Sequence, residues 1–480
     1  MKNNLFYKFK SKLILAITTI VFLGACNVPK NTSRTANTNL PESYIGSEDT
    51  INNVFVSWKT YFADENLIAL IDTALVNNQE LNVFMQEIEI NKNEIKARKG
   101  EYLPFMGLGA GADADKAGEF TRNGAVDEQL DIRPGTAFPS PLSNYMLGAY
   151  ATWEVDIWKK LRNAKKAAVN RYLASVEGRN FLVTNLVAEV ADSYYELMAL
   201  DNLLQIIQQN IEIQNNALKI VKQQKSAAKV TQLAVNRFEA QLLNTQNLQY
   251  VIQQKMVEAE NRINFLTGRY PTEITRNPNL FNEVKIDEIK AGVPSQLLVN
   301  RADIRQAEFN LIAANLNIKV ARANFYPSLG ITAGIGFNAF NPKYLFNPES
   351  ITYNIMGDLV APLINRLAIK ANYNTANAQQ VQAIYTYEQT ILNAHLDVLN
   401  QLSKIDNFSK SHETKSKEVD ILMESVKIAN SLFNSARADY AEVLFTQREA
   451  LEAKMELIEI KMKQIDAKIN IYRALGGGWN

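Results

Sequence analysis

The sequence predicts a mixed α and β membrane protein, in which long α-helical coiled coils accompany four transmembrane β-strands. Three observations lead to this fold class. Apolar residues recur at heptad spacing along two long segments. Four stretches of about ten residues alternate between apolar and small or polar side chains. The order of these features repeats once along the chain, which indicates an internal duplication.

The N-terminus has the layout of an exported protein. Four lysines within the first 12 residues precede an apolar run over 13–23, which is typical of a secretory signal peptide at 1–25. The run closes on Leu-Gly-Ala-Cys at Cys26, which resembles the lipobox of bacterial lipoproteins. That resemblance implies a covalent diacylglycerol and N-acyl lipid on Cys26, and an ordinary free cysteine after a signal peptide is the alternative. The following residues are rich in Asn, Thr, Ser and Pro, so 26–57 is expected to form a lipid-anchored tether.

Composition excludes several classes of protein. The formal net charge is +1, with 21% charged and 47% hydrophobic residues, so neither a disordered chain nor a nucleic-acid-binding protein is indicated. Cys26 is the only cysteine, which rules out an internal disulfide. After the signal peptide no stretch reaches the roughly 18 apolar residues of a membrane helix, so any membrane crossing is expected to use a closed barrel.

A repeat divides the mature chain. The corner Tyr102, Leu103, Pro104 recurs as Phe325, Tyr326, Pro327, and in both copies Ala-Arg lies a few residues upstream. Each corner leads into a Gly-rich stretch and then into a long helical region. We therefore predict structure from Trp58 onward, with a first repeat at 58–267, an equatorial linker at 268–302 and a second repeat at 303–480.

The alternating stretches form two predicted hairpins, at about 102–156 and about 327–361. After Pro327 the apolar residues Leu329, Ile331, Ala333 and Ile335 alternate with Gly330, Thr332, Gly334 and Gly336. Strands of this length suit a tilted membrane strand. Four strands cannot close a barrel alone, and an open edge is not tolerated in lipid, so oligomerisation is expected. A soluble sandwich with small hairpins would show the same alternation.

The helical pattern favours the membrane interpretation. From Leu186 to Val221 the apolar positions are spaced 4, 7, 3, 4, 3, 4, 7 and 3, and from Leu444 to Tyr472 they are spaced 7, 4, 3, 4, 3, 4 and 3. Both patterns are coiled-coil seams. A helix over 158–222 would be roughly 100 Å long at 1.5 Å per residue, which is longer than a globular domain is wide.

Each long segment is interrupted once, and we interpret the interruptions as helix-hairpin tips that face away from the strands. Their residues are our candidates for contact with a partner: Lys225, Ser226 and Lys229 in the first half, and Asn434 and Arg437 in the second.

Three motifs make the mature chain resemble the TolC-like outer-membrane efflux family, in its OprM-like lipoprotein branch. They are the segment from Trp58 to Ala74, the run from Pro294 to Glu308, and the run from Ala321 to Ser328. The resemblance implies a homotrimer whose twelve strands form one barrel and whose helices form one periplasmic tunnel. It also implies a periplasmic membrane-fusion adaptor and an inner-membrane pump of the resistance-nodulation-division type as partners, and export of small molecules such as drugs. The chain departs from the family at Ala302, where Pro is common.

Relatives in this family close the periplasmic end near the second tip. In this chain the corresponding candidates for a gate are Asp439, Glu442 and Phe445, with Phe445 at a position where the family commonly has aspartate. The alternative is that Asp439 and Glu442 are solvated tip charges. A conduit for type I protein secretion and a lipid-anchored coiled-coil scaffold without a pore are the competing functions.

We expect no enzyme, no metal site and no cofactor other than the covalent lipid. His395 and His412 are the only histidines and have no partner at metal-ligand spacing. The Gly107, Gly109, Gly111 series lies in an alternating stretch and not before a helix, so it does not predict phosphate binding. The glycines at 476–478 are expected to form a frayed C-terminus.

Overall fold

The structure is a computed structural model, and it describes residues 34–44, 57–284, 291–362, 364, 366–435 and 437–479. The predicted signal peptide, Cys26 and most of the tether lie outside these residues. The chain divides into two compact units. The sheet unit is built mainly from 89–173 and 309–385, and the helical unit from 36–88, 174–308 and 386–480. No helix in the described ranges has the length and apolarity needed to cross a membrane.

The strands and helices are numbered in chain order. The strands are β1 (Phe105–Asp115), β2 (Asp131–Arg133), β3 (Thr136–Ala137), β4 (Leu142–Val155), β5 (Ser328–Ala339) and β6 (Ile351–Val360). The helices are α1 (Trp58–Phe62), α2 (Glu65–Asn77), α3 (Gln79–Tyr102), α4 (Arg122–Gln129), α5 (Lys160–Ser226), α6 (Gln232–Leu266), α7 (Leu280–Glu283), α8 (Leu297–Asn300), α9 (Ala302–Ala323), α10 (Leu367–Asn434) and α11 (Tyr440–Ala474).

The four long strands form one antiparallel sheet in the order β1-β4-β5-β6. Their register places the predicted apolar residues in common rows, one of which is Leu108, Ala149, Ile335 and Tyr353. The adjacent row on the opposite face is Gly107, Tyr150, Gly334 and Asn354. Because side chains alternate between faces along each strand, the sheet has one apolar and one mainly small or polar face.

The corners that enter the hairpins are fixed by aromatic side chains. The Trp158 indole donates a hydrogen bond to the Pro327 carbonyl at 2.7 Å and stacks on Tyr326, with ring centroids 4.7 Å apart. The Trp153 indole donates to the carbonyl of Tyr102 at 3.1 Å. The repeated aromatic-Pro corner is therefore a packing element of the sheet unit.

The connection from β1 to β4 contains structure that the sequence did not predict. It holds α4, whose N-cap Thr121 accepts a hydrogen bond from the Gly124 amide, and the short β2–β3 ribbon. The Arg133 guanidinium lies 4.2 Å from the ring centroid of Tyr344, a residue of the loop between β5 and β6. This cation–π contact joins the two loops.

The long helices confirm the heptad interpretation. Helices α5 and α10 have 67 and 68 residues, and α6 and α11 have 35 residues each. The predicted seam positions Val190, Leu197 and Ile207 on α5 and Ile465 and Ile469 on α11 are at most 1% exposed. Together with Trp58, these residues belong to one apolar cluster, here called the main cluster.

The linker is held to the helices by buried arginines. Arg276 donates to Asp201 at 2.6 Å and to Glu260 at 2.8 Å, so it joins the linker to α5 and α6. Arg301 donates to Asp303 at 2.7 Å and to the carbonyl of Ala474 at 3.0 Å. The role of Arg301 is therefore structural, because its guanidinium donates hydrogen bonds to groups that are largely removed from water.

The prediction of a frayed C-terminus is wrong. Residues 474–478 are buried, and Gly476 and Gly478 adopt φ of +93° and +104°. A Cβ on Gly476 would lie 2.6 Å from the carbonyl oxygen of Asn300. Glycine is required here because the chain turns in the left-handed region while passing directly over the backbone of α8.

Part of the tether is docked on the helical unit. The amide of Asn37 donates to Glu388 at 2.8 Å, and Tyr44 is 1% exposed and stacks on His395 with centroids 5.5 Å apart. Residues 36–44 therefore pack along α10 instead of forming a free linker.

Two carboxylates meet where α5 packs against α11. The Asn470 amide donates to Asp192 at 3.4 Å and to Asp466 at 2.7 Å. Burial, and next the charge of Asp466, raise the pKa of Asp192 to about 7. Between the unfolded pKa of about 3.9 and the folded value, the folded chain binds more protons than the unfolded chain, so stability falls as pH rises through this window.

We expect Asp192→Asn to raise the midpoint of thermal unfolding at pH 8, where the wild-type carboxylate is ionised, and to change it much less at pH 5. The exposed Asp420→Asn on α10 is the matched control. Equal shifts of the Asp192→Asn midpoint at both pH values would contradict this assignment.

We expect Ala302→Pro to raise the free energy of unfolding by about 0.4–1 kcal/mol. Ala302 is the first residue of α9, and Arg301 before it is extended at φ −82° and ψ 121°, the conformation that precedes proline. Ala313→Pro, inside the same helix, should lower the free energy of unfolding by about 3 kcal/mol or more. Urea titrations measure both, and similar losses in the two variants would show that α9 begins elsewhere.

Candidate functional site

The first helix tip is a tight turn between α5 and α6. Ala228 adopts φ +55°, the Lys229 amide donates to Gln224 O at 2.9 Å, and the Ala228 amide donates to Lys225 O at 2.9 Å. This is a Schellman motif, which satisfies the last carbonyls of α5. Thr231 then caps α6 by accepting a hydrogen bond from the Ala234 amide.

The second tip, between α10 and α11, shares one backbone hydrogen bond of this motif. The Arg437 amide donates to Leu432 O at 2.9 Å, which spans the same number of residues as the bond from Lys229 to Gln224. Asp439 is the N-cap of α11, but its side chain accepts no capping hydrogen bond. Its exposed carboxylate therefore does not cap the start of α11.

The structure brings the two tips together. An apolar cluster, here called the tip cluster, contains Leu218 and Val221 of α5, Val235, Phe238 and Leu242 of α6, Ala429 of α10 and Val443 of α11. All four long helices contribute to it. The candidate residues at the two interruptions, more than 200 positions apart in sequence, thus belong to one region of the helical unit.

The gate candidates lie on a different face of α11 from the tip cluster. Asp439 and Glu442 are exposed, and Phe445 is 51% exposed, whereas Val443 is 2% exposed inside the cluster. Residues three apart share a helix face, so the two carboxylates and the aromatic ring form one exposed strip.

The sequence interpretation missed Arg448, which changes the charge of this strip. Its guanidinium lies 5.3 Å from the ring centroid of Phe445, and its Nε is 3.7 Å from Glu452. The spacing of three residues from Phe445 was the available signal. The strip therefore combines two carboxylates, an aromatic ring and a cation.

The candidates for partner contact are exposed at both tips. Lys225, Ser226 and Lys229 are exposed at the first, and Arg437 at the second. The side chain of Asn434 lies outside the described part of the structure. The tip surface thus presents cations beside the carboxylates of the exposed strip, which suits a partner surface with both signs of charge.

The polar face of the sheet is narrow and negative. Large side chains lie directly over glycines: a Cβ on Gly107 would meet Tyr150 at 2.7 Å, and one on Gly334 would meet Asn354 at 2.5 Å. The charged side chains of the four long strands are all carboxylates, namely Asp113, Asp115, Glu154 and Asp358. A pathway along this face would favour cations over anions.

The histidines are packing residues in this structure. Burial lowers the pKa of His395, and burial together with the charge of Lys461 lowers the pKa of His412. Within the described residues, no group of three or more His, Cys, Asp and Glu side chains could hold a metal ion.

The sequence profile of the family described as outer membrane efflux protein matches residues 70–269 and 293–477. The chain belongs to this family. The two matched segments contain the four long strands, the long helices and both tips, and the gap between them falls in the linker. The chain is thus an outer-membrane efflux protein, which confirms the family that its motifs resemble.

Two curated relatives match nearly the whole efflux protein. It is 26% identical over 486 residues to the solvent efflux pump outer membrane protein SrpC of Pseudomonas putida, covering 98% of this chain and 99% of SrpC. It is also 26% identical over 476 residues to the probable outer membrane lipoprotein SilC of Salmonella typhimurium, covering 98% and 99%. Both relatives agree with an outer-membrane location.

The fold is shared with a solved structure, a membrane protein from Pseudomonas aeruginosa. The TM-score is 0.83 at 23% identity, with 93% of this chain and 99% of that chain covered. At this level of identity the likeness establishes the fold alone.

Proposed function

We propose that this efflux protein is the outer-membrane conduit of a tripartite efflux system, and that it works as a homotrimer with an adaptor-controlled gate at the paired helix tips. The observation that carries the proposal is the four-stranded sheet with two unpaired edges. The outer strands β1 and β6 each have a strand neighbour on one side only among the described residues.

The unpaired edges of β1 and β6 support assembly with further copies of the chain. An unpaired strand edge is unfavourable in lipid, because its amides and carbonyls have no water to bind. β6 is exposed at every residue and carries large apolar side chains such as Tyr353 and Ile355, at 82% and 78% exposure. Three copies would supply twelve strands and close one barrel, with the polar face lining the pathway. The matched lengths of the two helical hairpins support an internal duplication.

Exposed apolar residues on α6 support assembly through the helices as well. Leu243, Tyr250 and Val257 are 59%, 68% and 51% exposed, and each lies seven residues after the previous one. A heptad stripe that stays exposed among the described residues is suited to contact with another helix. We assign it to a neighbouring copy in the homotrimer, in which the helices would form the periplasmic tunnel.

The tips provide the docking and gating surface. In this proposal the exposed cations Lys225, Lys229 and Arg437 contact a periplasmic membrane-fusion adaptor, while Asp439, Glu442 and Phe445 narrow the tunnel at rest. Repetition of the strip around a threefold axis would place like charges together, and an apolar ring beside them resists water. Energy for transport would come from an inner-membrane pump of the resistance-nodulation-division type.

Cys26 lies outside the described residues, and we propose that its acylation anchors the tether in the outer membrane. The probable lipoprotein SilC supports this anchor. SrpC, a component of a solvent efflux pump, supports small toxic molecules as the class of cargo.

Electron microscopy of the detergent-extracted full-length protein tests the assembly. We expect a threefold particle with a barrel continuous with a hollow shaft, because only closure among copies satisfies the edge strands. A solid or monomeric rod would refute the conduit and favour a lipid-anchored scaffold.

We expect Glu442→Ala combined with Phe445→Ala to raise the resting conductance of the channel in planar bilayers, because the substitutions remove the carboxylate and the ring that narrow the tunnel. Glu80→Ala combined with Val83→Ala on α3 is the matched control, since it removes an exposed acid and an exposed apolar residue at the same spacing of three, away from the tips and from the α6 stripe. Resting conductance equal to wild type in the α11 variant would show that the gate lies elsewhere.

A further inference from the structure

A layer of polar side chains separates the tip cluster from the main cluster inside the helical unit. On α5 the main cluster includes Ile207 and the tip cluster begins at Leu218, and partly buried Ile211 packs against both. On α6 the corresponding residues are Ile252 and Leu242. The buried residues between these positions are polar: Gln214 on α5 and Thr245 on α6, at 1% and 0% exposure. On α11, Gln447 at 5% exposure lies between Val443 of the tip cluster and the buried apolar residues Ala450 and Leu451.

Helix register places Gln214 and Gln447 at the same level. The Asn470 amide contacts Asp192 at 3.4 Å, and Leu218 and Leu444 both pack in the tip cluster. Asp192 and Leu218 are 26 residues apart along α5, and Leu444 and Asn470 are 26 residues apart along α11, so an equal rise per residue keeps these antiparallel helices in register over this length. Gln214 lies four residues before Leu218 and Gln447 three residues after Leu444, so both occupy the next layer above the tip cluster.

Several amide atoms in this layer lack hydrogen-bond partners. Both the Nε2 and Oε1 atoms of Gln214, and the Oε1 atom of Gln447, are buried without a hydrogen-bond partner in the described part of the chain. The Nε2 of Gln447 reaches Asn430 only at 3.5 Å, the limit of a hydrogen bond. Since Gln214 is 1% exposed, another copy of the chain cannot reach its amide.

Buried amides without partners weaken packing at one level of the bundle. An apolar residue at either position would join the two clusters, whereas an unpaired amide favours any motion that lets water in. The seams themselves show the interruption, because both skip an apolar position here: Ile211 to Leu218 on α5 and Leu444 to Leu451 on α11 are steps of seven. The tip cluster is thus less firmly coupled to the main cluster than a continuous seam would make it.

We infer that Gln214 and Gln447 are positioning residues that form a flexure, about which the tip cluster moves as one body when the gate opens. The inference rests on the proposed function for the gate, and its structural part stands on the packing of the helical unit. The two glutamines act through the tip cluster and do not contact the cargo.

Hydrogen-exchange mass spectrometry on the purified full-length protein tests the flexure. Gln214→Met combined with Gln447→Met keeps side-chain length and removes the buried amides. We expect exchange in the segments 218–242 and 429–444 to slow by about tenfold or more, because opening of the tip no longer relieves unpaired polar groups. Exchange around Ile465 in the main cluster should stay unchanged.

Gln401→Met is the matched control, since Gln401 on α10 is also buried with an unpaired Oε1 but lies far along the helix from the tip. It should leave exchange at the tip as in wild type. Tip exchange that is unchanged in the double variant, or slowed equally by Gln401→Met, would overturn the flexure.

Conductance measurements then show whether the flexure takes part in gating or affects only the stability of the tip. In bilayers, the double variant should show fewer openings than wild type, and adding Glu442→Ala with Phe445→Ala should restore current. Slower exchange with unchanged opening frequency would overturn the flexure as a part of gating. A wild-type protein without any current would instead refute the proposed channel, and the exchange comparison would still decide whether the layer loosens the tip.

Discussion

The unpaired backbone at β1 and β6 is the constraint on which the proposed assembly depends. A strand edge exposes amides and carbonyls that must find partners, and in hydrocarbon neither water nor a side chain supplies them. In the part of the chain that the structure describes, this sheet stops at four strands. The apolar row through Leu108, Ala149, Ile335 and Tyr353 needs a nonpolar surrounding at the same time. In the proposed assembly, identical copies that complete the sheet in a membrane meet both requirements, so hydrogen bonding and burial support the same proposal.

The helical unit holds long helices in register, and the proposed gate requires that one end of these helices can still move. Heptad packing in the main cluster fixes the helices, and Arg276 and Arg301 tie the linker and α9 to them through several hydrogen bonds each. At the tips, by contrast, the turns are satisfied locally by backbone bonds such as Lys229 to Gln224. A turn that satisfies its own polar groups can move with its helices without breaking contacts elsewhere.

Much of this structure could be predicted from periodicity. The alternation after Pro327 and the heptads from Leu186 depend on patterns spread over many residues, and both appear in the structure. Features that depend on one close contact between two residues could not be predicted from the sequence. The glycines at 476–478 read as a loose end in sequence, but they are buried because Gly476 passes over the carbonyl of Asn300. Likewise, α4 and the β2–β3 ribbon are too short to show a period, and the contact of Arg448 with Phe445 depends on a side-chain rotamer.

The heptad pattern of apolar residues is interrupted near the tip on both α5 and α11. Near the tips both seams skip an apolar position, about three turns before the end of α5 and about two turns after the start of α11. The buried residues there are Gln214 and Gln447, which helix register places at the same level. A single buried glutamine in a coiled coil is readily explained as a device that fixes register. Two on facing helices, with amide atoms left unpaired, do not fix register well, since register specificity requires that the polar groups bond each other. Loss of stability without that gain is consistent with a role in motion, because the same unpaired amides that weaken the closed packing are relieved when the layer opens.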